Sequence, residues 1–495
     1  MTDSGADVVQ TTLDPVDWDG FRALAHRAID DTIDRARSLQ DRPAWTAVPA
    51  DVRARLATEL PQVGVGESAV YEEFKALIEP YTNGNRHPRF FGWVQGNGLP
   101  LGALADFLAA SMNQHLAGFD QSGPIVEEQV LMWLKQMLGM PGSASGILLS
   151  GGTMANLTGV AVARAAKYPG DYGIDGLQGR STGPMVFYGS RDTHGWATKS
   201  AEFLGFGRDA FVAVASNNDF TISLQALKDA VDGDRDRGRV PFCVIGNAGT
   251  INTGAIDPMH SLADYCGAEG LWFHVDGAFG ALAALSPRYR HLVDGMQRAD
   301  SIAFDLHKWL SLPFEIGCLL VRDAAAHRRT FSSSGEYIRA LDRGVIRGGL
   351  PFAGLGIELT RGFKALKAWM CLRAYGVKRF ADVIERNISD VQRAAQRIAA
   401  SNCLELLAPA PLNVVCFRFH QGGLDDAALN SLNQEILYRI QEGGYGVFSS
   451  TVLNGRFALR MANVNHRAGY ADLLTLIEAV ERIGGELTAP ATVTL

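Results

Sequence analysis

The chain has 495 residues, 47% of them hydrophobic and 20% charged, with a formal charge of -7 at pH 7. These proportions belong to an ordinary globular protein and exclude a disordered or membrane-embedded chain. The negative balance argues against nucleic acid or an anionic membrane as the main partner, since both call for a basic face.

Single cores stop growing at roughly 250 to 300 residues, so one large domain with smaller parts attached is expected. Cys243, Cys266, Cys318, Cys371, Cys403 and Cys416 are scattered with no C-x-x-C pair, which reads as free thiols in a reducing compartment. The start, MTDSGADVVQTTLDP, is acidic and polar without an apolar h-region, and no apolar run reaches the length of a membrane span. A cytoplasmic location is expected.

Between residues 15 and 80, Phe21, Leu24, Ala25 and Ala28 share one helical face, followed by Val52, Leu56 and Leu60, with Pro43, Pro49 and Pro61 as breaks. This predicts a helical arm, residues 1–85, that must lie on the large domain or on a second subunit to bury its apolar side. The stretch YTNGNRHPRFFGWVQGNGLP that follows is a loop rich in Gly, Asn and aromatics. Phe90, Trp93 and Gln95 are its candidate pocket residues, with anchoring of the loop in the core as the alternative.

Helices are predicted around 101–116 and 125–138. A short strand at 147–149 then meets the turn Ser150, Gly151, Gly152, Thr153, which opens a helix of small and apolar residues. Such a turn can hold a phosphate on free amides and the positive helix end, although close packing alone can also require its glycines. It is neither a P-loop nor a dinucleotide fingerprint.

The runs MVFYGS, FVAVAS, FCVIGNAGT, LWFHVDGA, SIAFDL and GCLLV alternate with helical segments. Short continuous apolar strands separated by helices predict an α/β fold with a mainly parallel sheet covered on both faces. Ligands in such sheets sit beyond the carboxyl ends of the strands. The polar residues ending the runs are therefore the candidates: His194, Asn247, Thr250, Asp276, His307 and Lys308. Residues 321–359 lack periodicity and read as a loop region. The C-terminal part, with a helix at 383–400, strand VVCFRFH, a helix at 425–442 and strand RFALRMANV, reads as a small α+β domain.

The ordered pieces HPRFFGW, SGGTMAN, THGWATKSAEFLG, NAGTINTGAIDP, WFHVDGAFG, SIAFDLHKWL and LKAWMCLRAYG resemble the group II pyridoxal-phosphate decarboxylases, from about HPRFF to the C-terminus. The resemblance implies fold type I with a seven-stranded sheet, a large cofactor-binding domain at 86–378, a small domain at 379–495 and a homodimer. It implies decarboxylation of an L-amino acid, with an aromatic one expected, to its amine and carbon dioxide. The alternatives are an oxygen-consuming aldehyde synthase and a decarboxylase of an acidic or other amino acid.

By the same resemblance Lys308 forms a Schiff base with pyridoxal 5'-phosphate, Asp276 pairs with its ring nitrogen and Ala278 lies against the ring. His194 stacks on the opposite face and helps place the substrate carboxylate. Gly152, Thr153 and His307 serve the phosphate, Thr250 is a further cofactor-binding residue, and Tyr337 protonates the α-carbon from a closing loop. His274 shares a strand face with Asp276 and is expected to support it; the pair lacks the ligand count of a metal site, so no metal is expected.

The chain departs from the family pattern at Trp93, Val94, Gln95 and Gly96, at Ile251, and at Asp305, where the animal aromatic enzymes carry asparagine. Arg86 and Arg89 keep an acidic substrate open.

Overall fold

A computed structural model of the chain describes residues 12–177, 183–332 and 341–489. After a two-residue strand, β1 (Phe90–Phe91), seven apolar runs become the strands of one sheet. They are β2 (Ser145–Leu149), β3 (Met185–Ser190), β4 (Phe211–Val214), β5 (Val240–Asn247), β6 (Trp272–Asp276), β7 (Ser301–Asp305) and β8 (Gly317–Val321). Their order is β2-β8-β7-β6-β5-β3-β4. Only β8 runs against its neighbours; the other pairings are parallel. Every residue of β3, β6, β7 and β8 is buried, and a strand covered on both faces has no reason to alternate polar with apolar.

The arm consists of α1 (Trp18–Arg37), α2 (Ala50–Leu56) and α3 (Glu67–Glu73). Asp17 caps α1 by accepting from the amides of Asp19 and Gly20. Asp31 on α1 accepts from Tyr71 Oη at 2.8 Å and Lys75 Nζ at 2.7 Å, tying the helix to α3 and the segment after it. No residue of α1 is buried against this chain.

The predicted pair of helices is α4 (Pro100–Met112) and α5 (Ser122–Leu138). Next come α6 (Gly152–Lys167), α7 (Tyr172–Asp175) and α8 (Trp196–Phe203). A fully buried ion pair, Glu127 on α5 with Arg361, closes on the end of β2: Leu148 donates its amide to Glu127 Oε1 at 3.3 Å and accepts from Arg361 Nη2 at 2.8 Å. A buried pair of this kind adds little net stability, because desolvation offsets attraction. It does hold the strand that feeds the Gly-rich turn.

A helix of 35 residues, Ala365–Ala399, breaks at Gly376, whose φ of 70° is in the left-handed region. It leads into a second sheet containing β9 (Leu404–Leu406), β10 (Val414–Phe419), β11 (Val447–Leu453) and β12 (Arg456–Ala462), in the order β1-β11-β12-β10-β9. β1 joins this sheet from far upstream, pairing Phe90 with Val447 and Phe91 with Phe448. The small sheet therefore reaches back to the loop that carries Trp93. Among the described residues no helix is long and apolar enough to cross a membrane.

Candidate active site

The sheet order places β6 between β5 and β7, with Asn247 opposite Asp276 and Asp276 opposite Ala303 at their carboxyl ends. Beyond those ends lies a cavity of about 410 Å³. Lys308, Asp276, His194, Ala278, Gly152, Thr153 and His307 all line it. The acid and the amine thus come from neighbouring strands, as their motifs predict.

Asp276 is held by two donors. Its Oδ2 accepts from Trp196 Nε1 at 2.6 Å and its Oδ1 from the Ala278 amide at 3.1 Å. Trp196 opens α8 and is buried, and its own amide donates to His194 Nδ1 at 3.2 Å. With Nδ1 accepting, the neutral His194 ring carries its proton on Nε2. Burial pushes the His194 pKa below its ordinary value, with Asp276 pulling the other way. Sequence reasoning missed Trp196, although it sits two residues from His194 in the quoted motif.

His274 does not bond to Asp276, and this corrects the sequence expectation. Its Nδ1 lies 2.8 Å from Ser301 Oγ and its Nε2 2.8 Å from Asn156 Oδ1. Asn156 Oδ1 can only accept, so Nε2 donates and Nδ1 accepts from the Ser301 hydroxyl. Ser301 in turn accepts from Trp272 Nε1 at 2.8 Å, and Asn156 Nδ2 donates to the Gly152 carbonyl at 2.8 Å. The chain of bonds runs from the sheet to the first turn of α6. Burial depresses the His274 pKa to about 4, so the ring is neutral at neutral pH. It supports the glycine turn.

That turn, Ser150 to Thr153, lines the cavity at the start of α6. A Cβ on Gly152 would stand 2.8 Å from Asp305 Oδ2, so only glycine lets the turn approach this side chain. First-turn amides of a helix have no partners within it and suit an anion. The turn, Asp276, Lys308 and the small Ala278 side chain, all on one cavity, fit pyridoxal phosphate: a place for its phosphate, one for its ring nitrogen, an amine for its aldehyde and space for its ring.

Other expected residues go elsewhere. Thr250 does not line the cavity, whose wall passes through Gly249 and Ile251; its hydroxyl lies 3.0 Å from Thr253 Oγ1 and also accepts from the Ala255 amide. Phe90 is buried with Ala44 and Val447, Gln95 accepts from Asn83 Nδ2 at 2.6 Å, and Trp93 is 52% exposed. None of the three lines the cavity of this chain. Their loop nevertheless crosses the site closely, since a Cβ on Gly96 would stand only 1.8 Å from the His307 carbonyl oxygen. Tyr337 lies outside the described residues.

Arg460 on β12 was also missed. Its buried guanidinium donates to the carbonyls of Trp93, Ile251 and Asn252 and to Ser449 Oγ. It pins two loops near the cavity to the small sheet. Burial pushes its pKa down to about 10.

The fold and the site together define a fold-type I pyridoxal-phosphate enzyme. Residues 49–420 match the family described as the pyridoxal-dependent decarboxylase conserved domain. The chain is 33% identical to an aromatic-L-amino-acid decarboxylase of Bacillus atrophaeus, over 94% of this chain and 96% of that one. It is 26% identical to the phenylacetaldehyde synthase of Arabidopsis thaliana, over 91% and 93%. Among solved structures, Oryza sativa TDC with PLP and tryptamine superposes with a TM-score of 0.87 at 24% identity, covering 96% of this chain and 100% of that one. The chain belongs to the pyridoxal-dependent decarboxylase family: it is an amino acid decarboxylase, a lyase, with pyridoxal phosphate as its cofactor.

Proposed function

We propose that the protein decarboxylates an aromatic L-amino acid to its amine, as a homodimer. The observation that carries the reaction is the convergence of Asp276, Lys308, Ala278 and the Gly151–Gly152 turn on one cavity. The bound cofactor supplies an electron-withdrawing ring that takes up the electrons left when carbon dioxide departs. The protein's own part is positional. Asp276, fixed by Trp196 and the Ala278 amide, offers a carboxylate to the ring nitrogen. His194 lines the cavity with its proton on Nε2, a donor suited to the substrate carboxylate. Lys308 provides the amine.

An aromatic side chain is supported by the Bacillus relative and by the cavity wall. Among the described residues Lys308 is the only Lys or Arg in that wall, whereas Phe279, Phe314, Met154 and Ile251 are apolar parts of it. Arg86 lines a separate crevice with Arg35 and Glu79, and Arg89 is absent from the wall. An acidic substrate would lack a cation for its side chain. Incubation with a panel of amino acids, detecting carbon dioxide, amine, aldehyde and peroxide together, tests this. The expected outcome is carbon dioxide and amine in equal amounts from tryptophan, tyrosine or phenylalanine; turnover of glutamate alone would overturn it.

The second reading, an oxygen-consuming aldehyde synthase, is favoured by the Arabidopsis relative. Tyr337 separates the two, because its phenol is the proposed acid for the α-carbon. Tyr337→Phe is expected to shift product from amine to aldehyde with peroxide release. Unchanged amine yield would remove Tyr337 from that role.

A homodimer is supported by apolar faces that this chain leaves uncovered. Trp18, Phe21, Ile29 and Ile33 on α1 are exposed, as are Leu104, Phe107, Leu108 and Met112 on α4. Contiguous apolar surface of this kind marks a protein interface.

A further inference from the structure

The cavity holds a second carboxylate that the roles above leave unused. Asp305 ends β7 and is 2% exposed. Its Oδ2 lies 3.2 Å from Lys308 Nζ and 3.8 Å from His307 Nε2, and its Oδ1 is buried with no hydrogen-bond partner. Three glycines surround it: a Cβ would stand 2.8 Å from Oδ2 at Gly152, and 2.9 Å and 3.8 Å from Oδ1 at Gly317 and Gly151. No side chain can come between this acid and the turn. A carboxyl group therefore abuts the place where the amides await an anion.

The groups that face Asp305 offer little compensation. His307 beyond its own strand and His194 from the loop after β3 are held towards the neutral form by burial, and the same cause keeps the Cys318 thiol on β8 protonated. Ser150 and Thr153 of the turn are uncharged. Among the described residues Lys308 is the only Lys or Arg lining the cavity with it, where Asp276 and Glu315 are further carboxyl groups, and Lys308 is the residue that joins the cofactor.

We propose that Asp305 makes cofactor uptake proton-coupled: as the phosphate enters the Gly151–Gly152 turn, Asp305 takes a proton from solvent and becomes a donor to it. This rests on the cavity being the cofactor site. The step breaks no bond to carbon. Solvent gives up one proton, the carboxylate oxygen receives it, and the resulting O–H replaces the repulsion of two adjacent anions by a hydrogen bond. A second negative charge packed beside a buried carboxyl disfavours its ionised form.

The test is calorimetric. Full-length protein stripped of cofactor is titrated at pH 8, in buffers of different ionisation heat, with pyridoxal phosphate and with pyridoxal. At that pH the free phosphate monoester is already a dianion, its second pKa being about 6. Both ligands react with Lys308 alike, so the difference in protons taken up reports the phosphate. Wild type should take up about one proton more with pyridoxal phosphate than with pyridoxal, and Asp305→Asn about none. Relative to that variant, wild type should also lose about tenfold in pyridoxal phosphate affinity per pH unit at alkaline pH. Equal proton counts for the two ligands in wild type would overturn the proposal without needing the variant. A visible absorbance band that borohydride removes shows in the same samples that the cofactor site works, so failure of the inference is distinguishable from failure of the site assignment.

Discussion

At the scale of single residues, the site depends on what holds its acid. The indole of Trp196 donates to Asp276 Oδ2 at 2.6 Å with both groups buried. A hydrogen bond to a charged acceptor contributes about 1.5 to 3 kcal/mol. Trp196→Phe keeps most of the ring packing and removes the donor. It is expected to weaken pyridoxal phosphate binding by about tenfold or more, since 1.4 kcal/mol is a factor of ten, with the fold intact by circular dichroism. Unchanged affinity in a fluorescence titration would show that the Ala278 amide alone suffices. Asp276, Lys308 and His194 were legible in the sequence because each sits at or shortly after a strand end inside a motif. Trp196 was not, because its bond to Asp276 joins residues 80 positions apart.

At the scale of elements, α4 shows a face in search of a partner. Leu104, Phe107, Leu108 and Met112 follow helical spacing and are exposed, while Gly102 and Ala105 of the same helix are buried. An apolar stripe on both sides is expected of a helix buried between two bodies. The double substitution Leu104→Asp with Phe107→Asp places two charges on that outer stripe and is expected to give monomers in equilibrium ultracentrifugation. A wild-type monomer, or a variant that remains dimeric, would contradict the proposed assembly. The helices themselves follow from sequence periodicity. Strand β11 does not, because VFSSTVL carries polar residues in its middle and only its pairing with β12 and β1 makes it a strand.

At the scale of the whole molecule, two buried histidines link stability to pH. His274 bridges Ser301 and Asn156; His327 accepts from Ser145 Oγ at 2.7 Å and donates to the Leu355 carbonyl at 2.8 Å. Burial lowers both pKa values from 6.5 to about 4. The unfolded chain then binds these protons more readily than the folded one between pH 6.5 and pH 4. Their stabilising contribution is complete above 6.5 and is lost as pH falls through that window, at up to about 3 kcal/mol per pH unit for the two together. The thermal midpoint is expected to fall steeply between pH 6.5 and 5 and to be level between 7 and 8; a level profile down to pH 5 would refute this.

The sequence alone determined the helices, the strands of the large sheet and the cofactor chemistry of this protein. The short apolar runs separated by helical segments read as strands of a covered sheet, and an acid at the end of one and a lysine just beyond the end of another carry the family's cofactor motif. Those signals are local: the period of a strand and the spacing of a motif survive without tertiary contacts. What the tertiary structure decided is which side chains meet. The order β2-β8-β7-β6-β5-β3-β4 sets which strand ends are neighbours. It places Asp305 under the glycine turn, aims His274 at α6 instead of Asp276, and leaves Thr250 inside its own turn. The first two outcomes depend on packing between segments more than a hundred residues apart, and no pattern along the chain encodes the direction in which a buried side chain finds its partner.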